Sequence, residues 1–439
     1  MSFSTDKQTL DDLNIFGKRG RNSVYTLFCR THTRGGAALL EDMFRYPLDN
    51  AEAINGRSAI IRFFCDTQIP FPYPPHLLDT AEHYLSNRDT RTRLSAEDNT
   101  LERKFKNAIG ADNEYALLHK GVAALIEIIN LSKSFVREME NRSDAEAFRK
   151  DMENFRSLLR LKDFAPADNA GKRLSYDKTA GYDRLFRYDE YASVRRLLDI
   201  IYRMDVYIST ATIAAERGFV FARAVEEEDN RLDIRGLYHP ALENPTANDV
   251  HVDSRNTIIF LTGANMAGKS TFMKSFGIAV FLAHMGFPVP ASAMEFTVLD
   301  GIYTTINLPD NINMGYSHFY AEVLRVKKVA GEVAGGKKFF VIFDELFRGT
   351  NVKDAYDATV AITEAFSACK RSIFVISTHI IEAGETLGER CPGMRLLYLP
   401  TGMCGSKPVY TYRLTEGITA DRHGMLIIRN EGILDILEA

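Results

Sequence analysis

The spacing of apolar residues divides the chain into a helical first half and a mixed second half. In the most regular run, Tyr191–Arg217, apolar residues recur three or four positions apart, which is the repeat of one helix face. This spacing predicts either a seam between packed long helices or an amphipathic helix on the surface of a bundle. Similar patterns predict helices over 24–44, 90–107 and 115–140, and a stretch rich in Gly and charged residues predicts a loop over 161–187.

After residue 230, short apolar runs of strand length alternate with helical stretches. Strands are predicted over 257–261, 339–343, 373–377 and 395–399. Such alternation is typical of an α/β sheet with parallel strands. The acidic run 226–230 serves as the boundary, which gives an all-helical domain over 1–228 and an α/β domain over 229–439.

Composition and charge are those of a globular protein with two or three domains. The chain has 439 residues, of which 45% are hydrophobic and 26% are charged. Its formal net charge of −4 gives no overall basic signal for nucleic acid, which still leaves room for a local basic face. The 5 cysteines form no C-x-x-C pair, so we expect reduced thiols. The first residues are polar and no apolar run is long enough to span a bilayer, so we expect a cytoplasmic protein without a membrane span.

Residues 260–271 read FLTGANMAGKST and carry the strongest chemical signal of the chain. The pattern G-x-x-x-x-G-K-[ST] lies between a predicted strand and a predicted helix over 272–285, which is the context of a phosphate-binding loop. Its backbone N–H groups and the helix dipole would face a polyphosphate. Lys269 would reach the β- and γ-phosphates, and Ser270 would bind Mg²⁺. The alternative is a Gly-rich turn that only caps a helix. The predicted nucleotide-binding residues of the loop are Gly263, Ala264, Asn265, Met266, Ala267, Gly268, Lys269, Ser270 and Thr271.

Two later strands end in polar residues that suit a nucleotide site. Asp344 follows the run 339–343 and suits Mg²⁺, usually through water, while Glu345 suits a base that orients or polarises the attacking water. His379 follows the run 373–377 and could sense the γ-phosphate or orient water. Without the loop, the acidic pair would be an ordinary strand end and His379 a hydrogen-bonded structural residue.

Three motifs, TGANMAGKST, DELFRGTN and STH, occur in the order and spacing of a known family. They resemble the ATPase domain of the MutS DNA mismatch-repair family, and Asn265 is a feature that generic phosphate loops lack. The resemblance implies a P-loop (ABC-like) α/β ATPase domain with ATP and Mg²⁺ as cofactors, and Asn265, Glu345 and His379 as catalytic residues. Ser317, in GYSHFYAE, would reach the γ-phosphate bound by a neighbouring subunit, so a homodimer is implied. Tyr412, near the position of a family histidine, would supply an aromatic face for adenine.

The same resemblance extends loosely into the first half. Residues 23–62 are similar to the start of the family's helical core, and 191–220 to its returning lever helix. Family members begin with a mismatch-reading domain and a connector domain, and we expect neither in this chain. Only 161–187 is available for the clamp that grips DNA, so we expect that clamp to be reduced or absent.

Single residues also depart from the family pattern. Ala264 and Ala267 replace Pro and Gly in the loop, and Phe347 replaces the Gly of D-E-x-G. The sequence has no cluster of basic and aromatic residues that would mark a DNA-binding surface. Candidate phosphate contacts, each with a solvated turn as its alternative, are Lys18, Arg19, Arg21, Lys327, Lys328, Lys337 and Lys338.

Three functional hypotheses follow from these observations. The first is a Mg²⁺-dependent MutS-like ATPase that couples ATP binding and hydrolysis to DNA, in mismatch repair or a related repair or recombination role. The second is a nucleotide-gated dimer that binds branched DNA, or a protein partner, without recognising mismatches. The third is a small-molecule kinase or a transporter ATPase; no L-S-G-G-Q-like signature precedes the acidic strand, and the Asp344-Glu345 pair indicates hydrolysis.

Overall fold

The computed structural model describes residues 3–17, 22–87, 89, 92–94, 113–142, 146–160, 164, 174–306, 318–404, 407–419 and 436. These residues form a protein of mixed helix and sheet with two compact units. The sheet unit consists of Met1–Phe28, Met43–Ser58 and Ala214–Ala439, and the helical unit of Cys29–Asp42 and Ala59–Ile213. Both units are discontinuous in sequence, whereas the predicted domains, 1–228 and 229–439, are contiguous; that domain division remains a prediction.

The described helices fall mainly in the first half, as the apolar spacing predicts. They are α1 (Lys7–Asp12), α2 (Val24–Phe28), α3 (Arg34–Arg45), α4 (Ala51–Thr67), α5 (Pro75–Ser86), α6 (Asn113–Glu140), α7 (Arg149–Leu159), α8 (Tyr176–Arg184), α9 (Tyr191–Arg217), α10 (Lys269–His284), α11 (His318–Ala334), α12 (Val352–Ser367) and α13 (Ile381–Arg390). Helix α9 has the predicted bounds, and α6 covers the predicted 115–140. In this half α1, α4, α5 and α7 were not predicted, and of the helix predicted over 90–107 only residues 92–94 are described. The loop predicted over 161–187 is wrong in its second part, where α8 and a π-helical turn, Leu185–Asp189, lie.

The single helix predicted over 24–44 is wrong, because the chain leaves the helical path between α2 and α3. The cause is a buried carboxylate on α9, Asp205. Its Oδ1 accepts from the backbone N–H of His32 at 2.9 Å, and its Oδ2 accepts from the N–H and hydroxyl of Thr33 at 2.8 and 2.7 Å. In a continuous helix the N–H groups of His32 and Thr33 would donate to backbone carbonyls one turn earlier. Here they donate to Asp205 instead, so the helix can be interrupted without leaving them unpaired.

A second buried carboxylate organises the other end of the helical unit. Asp183 accepts two hydrogen bonds of 2.6 Å from the guanidinium of Arg187 and one of 2.7 Å from the hydroxyl of Tyr84. The side chains of Asp183 and Arg187 are completely buried. Arg187 lies in a π-helical turn, Leu185–Asp189, that follows α8. The pair is therefore a buried ion pair whose remaining polar atoms are also bonded.

The strands of the sheet unit form a main sheet and smaller ones. They are β1 (Val220–Phe221), β2 (Arg223–Val225), β3 (Leu232–Leu237), β4 (Asn248–Val252), β5 (Ile258–Thr262), β6 (Pro288–Val289), β7 (Ala293–Thr297), β8 (Gly301–Thr305), β9 (Phe339–Asp344), β10 (Ile373–Ser377), β11 (Met394–Tyr398), β12 (Thr401–Cys404), β13 (Lys407–Tyr410) and β14 (Thr415–Glu416). The main sheet has the order β14-β11-β5-β10-β9-β8, in which β14 is antiparallel and the other five are parallel. A four-stranded sheet has the order β2-β7-β3-β4.

The four predicted strands, 257–261, 339–343, 373–377 and 395–399, correspond to β5, β9, β10 and β11 with ends within one residue. Every residue of β5 and β10 is buried, which explains why they read as continuous apolar runs. Edge strand β8 was not predicted. It is covered by the N-terminal segment, where the Ser4 carbonyl accepts from the Ile302 N–H at 2.9 Å and Asp12 Oδ2 accepts from the Thr304 hydroxyl at 2.8 Å.

The expectation that the chain has no membrane span can be compared with the length and hydropathy of its helices. Among the described residues, Tyr115–Glu140 is the one helix long and apolar enough to cross a membrane by length and composition. Half of its most apolar window is buried inside the protein, and core helices without any membrane contact meet the same criterion. A single helix of this kind is weak support for a membrane segment.

The buried pair Asp183–Arg187 gives a stability prediction. Asp183→Asn leaves the Arg187 guanidinium buried without a counter-charge, so we expect a loss of about 3–5 kcal/mol in the free energy of unfolding. Asp189→Asn is the matched control, because its partner Arg184 is 62% exposed and such pairs contribute at most about 1 kcal/mol. Urea unfolding followed by far-ultraviolet circular dichroism measures both. Equal stability of the two variants would contradict the role given to the buried pair.

Candidate functional site

The loop between β5 and α10, residues 263–268, is called the glycine loop below, and its backbone requires glycine at both ends. Gly263 has a φ of 146° and Gly268 a φ of 101°, a region that other residues rarely adopt. Gly268 directly precedes Lys269, the first residue of α10. A Cβ atom at Gly268 would also lie 3.0 Å from a ring carbon of Tyr412. The loop therefore leads directly into the N-terminus of a 16-residue helix, where free N–H groups favour an anion.

Lys269 lies folded against this loop rather than in solvent. Its Nζ donates to the carbonyl of Gly263 at 2.8 Å and to that of Ala264 at 3.3 Å. Burial lowers the pKa of the lysine, and the nearby acids Asp344 and Glu345 partly oppose this effect. A cation held this way lies beside the free N–H groups of the helix start, where a phosphate would meet both.

Ser270 and Asp344 meet at the carboxyl edge of the sheet. The Ser270 hydroxyl donates to Asp344 Oδ2 at 2.7 Å. The other oxygen, Oδ1, is buried and accepts no hydrogen bond from the described residues. Burial raises the pKa of this carboxyl, because the charged form is desolvated. A hydroxyl and a carboxylate with one open oxygen are donors that Mg²⁺ accepts, so the two residues fit this ion.

The rest of a Mg²⁺ coordination shell would come from phosphate and water. Among the described residues, no three His, Cys, Asp or Glu side chains cluster to form a metal site. This agrees with the habit of Mg²⁺ to keep several waters and to bind one or two protein oxygens with substrate phosphates.

Glu345 and His379 pair across the ends of two neighbouring strands. Ser377 of β10 lies opposite Asp344 of β9, and the Glu345 N–H donates to the Ser377 carbonyl at 2.9 Å. His379 Nε2 lies 2.6 Å from Glu345 Oε1. The hydrogen bond from His379 lowers the pKa of Glu345 to about 2, and Arg348, with Nη1 3.5 Å from Oε2, acts in the same direction.

A cavity of about 640 Å³ opens beside these groups, within the size range of small-ligand sites. One wall carries Tyr412, which is 47% exposed. Its backbone is held by Asn248, whose Nδ2 donates to the Tyr412 carbonyl at 3.0 Å and whose Oδ1 accepts from the Leu414 N–H at 2.7 Å. Predicted site residues that line the cavity are Ala264, Asn265, Met266, Gly268, Lys269, Ser270, Thr271, Glu345 and Tyr412.

Not every predicted residue lies on that surface. Gly263, Ala267, Asp344 and His379 do not line the cavity, and Ala267 is buried. Ser317, the predicted trans-acting residue, lies outside the described residues. The individual roles of all these residues remain predictions.

Three of the basic residues considered for DNA contact have other partners, whereas Lys327 is exposed on α11 and stays a candidate. Lys328 Nζ donates to Asp6 at 2.7 Å, and Lys338 Nζ donates to the Glu227 carbonyl at 2.6 Å. Lys337 lies 3.8 Å from Glu332. Lys18, Arg19 and Arg21 fall outside the described residues.

Two parts of the site were missed from the sequence. The cavity wall opposite the glycine loop includes Leu242, Glu243, Asn244 and Pro245, a turn-forming stretch after β3. Its Asn-Pro pair signals a turn but no chemistry. Arg348 near Glu345 was also missed, although its position three residues after the acid was visible in the sequence.

By fold and site, the protein is a mixed α/β protein with a glycine-loop cavity at the carboxyl edge of a parallel sheet. The family model of MutS domain V matches residues 259–437. Relatives named DNA mismatch repair protein MutS include one from Anaplasma phagocytophilum, 28% identical over 240 residues, which are 54% of this chain and 29% of the relative. Another, from Clostridioides difficile, is 31% identical over 202 residues, 44% of this chain and 21% of the relative. Residues 259–437 therefore form a domain of the MutS family, and the matches span less than a third of the length of these relatives.

The depressed pKa of Glu345 gives a prediction about acid stability. Its folded pKa of about 2 is below the ordinary 4.5, so the pairing stabilises the fold above pH 4.5 and is lost as the pH falls toward 2. The difference in melting temperature between wild type and Glu345→Gln should be constant from pH 6 to 4.5 and should shift against the wild type below 4.5. In a His379→Asn background the same comparison should lose much of this pH dependence. A difference that stays constant down to pH 3 in the wild-type background would refute the pairing.

Proposed function

We propose that the protein is a Mg²⁺-dependent ATP hydrolase of the MutS type. The observation that carries the proposal is the pairing of Glu345, which lines the glycine-loop cavity, with His379 at 2.6 Å, together with the Ser270–Asp344 contact. This is the arrangement needed to bind a triphosphate and to orient a water against its last phosphorus atom.

Binding would use the glycine loop and the wall that faces it. The free N–H groups at the start of α10 and the Lys269 ammonium would receive the β- and γ-phosphates. Tyr412 would offer its exposed ring to the adenine. Ser270 and Asp344 would hold Mg²⁺, which neutralises charge on the phosphate oxygens when it is bound.

Hydrolysis would depend on the position of Glu345 more than on its basicity. A carboxylate with a pKa of about 2 is ionised at neutral pH but is a weak proton acceptor. It can still accept a hydrogen bond from a water and direct the oxygen lone pair at the phosphorus. His379 would hold the carboxylate in that orientation, and Asn265, on the cavity surface, would lie near the γ-phosphate.

We further propose that nucleotide binding is coupled to DNA, through a homodimer in which Ser317 acts on the partner's nucleotide. Family membership and the relatives' name, DNA mismatch repair protein, support this proposal. The basic residues described so far do not identify the surface involved. The type of DNA structure is therefore a matter for experiment.

The Glu345→Gln variant tests the ATPase. The amide keeps the shape of the side chain but loses the charge that orients water, so we expect kcat to fall by about 10²–10⁴ with ATP binding retained. Release of phosphate without an added acceptor gives kcat, and a fluorescent ATP analogue gives the Kd. Glu364→Gln, a 49% exposed glutamate on α12, is the control and should behave as wild type. Turnover of Glu345→Gln at the wild-type rate would end the proposal for this residue.

A binding panel tests the coupling to DNA. Homoduplex, mismatched duplex and four-way junction DNA are titrated with and without ATP and Mg²⁺, across a salt series. We expect affinity for at least one structure to change at least about fivefold with nucleotide, the size of a modest allosteric coupling. A preference for the mismatch would support mismatch repair, and a preference for the junction would support a recombination role. Failure to bind any of them at low salt would refute DNA coupling and favour a protein partner.

A further inference from the structure

The turn that follows β9 contains two residues in an unusual backbone conformation. Glu345 has a φ of 53° and Phe347 a φ of 61°, in the left-handed region that glycine adopts without strain. For a bulky residue such as Phe347 this conformation is an outlier. Strained residues persist only where their surroundings enforce them, and they concentrate at functional sites.

Phe347 is anchored in the core rather than turned to solvent. It is 3% exposed and belongs to the apolar cluster beneath the main sheet, together with its neighbour Leu346. Its ring centroid lies 5.9 Å from that of Phe319 at an interplanar angle of 58°, a tilted arrangement favoured between aromatic rings. Phe319 lies in the first turn of α11.

A second contact brings the turn against the same helix start. A Cβ atom at Gly349 would lie only 2.6 Å from the backbone nitrogen of Phe319, so the two backbones are in direct contact. Any residue larger than glycine would push them apart. The turn is thus held on one side by a ring and on the other by a backbone contact with the same residue.

The other end of the turn carries the proposed catalytic carboxylate. The Glu345 N–H donates to the Ser377 carbonyl at 2.9 Å, and its side chain meets His379. Only Leu346 separates Glu345 from Phe347. The backbone torsions that place Phe347 on Phe319 therefore also set the direction in which Glu345 points.

We propose that Phe347 is a positioning residue for Glu345, and that its contact with Phe319 fixes the orientation of the carboxylate. This inference rests on the proposed ATPase for its catalytic consequence, while the structural coupling stands independently of it. In the MutS family pattern this position is a glycine, which adopts the left-handed conformation without strain and needs no side chain to hold it. Here the ring and its partner on α11 supply the constraint.

Hydrogen exchange tests the coupling without any activity. Phe347→Leu and Phe319→Leu remove one ring each and keep an apolar side chain. We expect amides in the peptide covering 345–349 to exchange at least about tenfold faster in both variants, because the turn opens more often. Phe319 is only partly buried, so its variant keeps the test valid where the other folds poorly.

The matched control is another phenylalanine of the same apolar cluster. Phe339 is 0% exposed, lies at the start of β9, the end remote from the turn, and has its ring centroid 5.2 Å from that of Tyr303. Phe339→Leu should lower the melting temperature as an ordinary core substitution does, with unchanged exchange in 345–349. Equal exchange in this peptide for all three variants would overturn the proposal, whether or not the protein hydrolyses ATP.

Steady-state kinetics tests the catalytic consequence. In the Phe347→Leu and Phe319→Leu variants we expect kcat to fall by at least about tenfold, with KM for ATP within about threefold, because a misplaced water-orienting group affects the reaction and spares binding. In the Phe339→Leu variant both constants should match the wild type at a temperature below its melting point. A loss of turnover in that control as large as in the other two would show a general loss of folding and would overturn the positioning role. Absence of turnover in the wild type, with faster exchange in the two variants, would refute the proposed ATPase and leave the coupling in place.

Discussion

The parallel, in-register pairing of β10 with its two neighbours is the constraint on which the candidate site depends. Ser377, the last residue of β10, lies opposite Leu261 of β5 and opposite Asp344 of β9. All three strands therefore end at one level, and the residues that follow them emerge together. The glycine loop, the acidic pair and His379 are far apart in sequence and meet because of this register. Because every residue of β5 and β10 is buried, packing on both faces of the sheet stabilises these strands, rather than an alternation of apolar and polar positions.

The site then combines two ways of holding an unusual backbone. In the glycine loop, positive φ occurs at Gly263 and Gly268, which have no side chain, and at Met266, whose side chain is 72% exposed. After β9 the residues at positive φ are Glu345 and Phe347, whose strain must be offset by packing and hydrogen bonds. The glycine loop suits a surface on which a phosphate would bind. The turn after β9 suits a side chain whose orientation must be fixed.

The sequence predicted the parts of the fold that depend on local apolar pattern. The buried strands β5, β9, β10 and β11 and helix α9 were found because continuous or periodic apolar runs define them. The break between α2 and α3 was not found, because Asp205, which causes it, is distant in sequence. Edge strand β8 was missed, and its pairing with the N-terminal segment at Ser4 is equally non-local.

The same limit applies to the site. Motifs predicted which side chains would gather, since loop and strand ends carry their own signals. The opposite wall of the cavity and the contact of Phe347 with Phe319 depend on packing between elements, which no local pattern encodes. The resemblance treated Phe347 only as a departure from a glycine. The structure shows a buried ring whose partner lies on another element.

Hydrogen-bond satisfaction separates Asp344 from the two buried carboxylates of the helical unit, Asp183 and Asp205. Asp183 and Asp205 are fully buried, and each of their oxygens accepts hydrogen bonds from protein groups. Asp344 is held by Ser270 through one oxygen only, and its other oxygen is buried without a partner among the described residues. Leaving a buried acceptor unsatisfied costs about 1–3 kcal/mol, so such an atom calls for a ligand that compensates it. The sequence alone does not separate Asp344 from Asp183 and Asp205, because the difference lies in hydrogen bonds made within the folded chain.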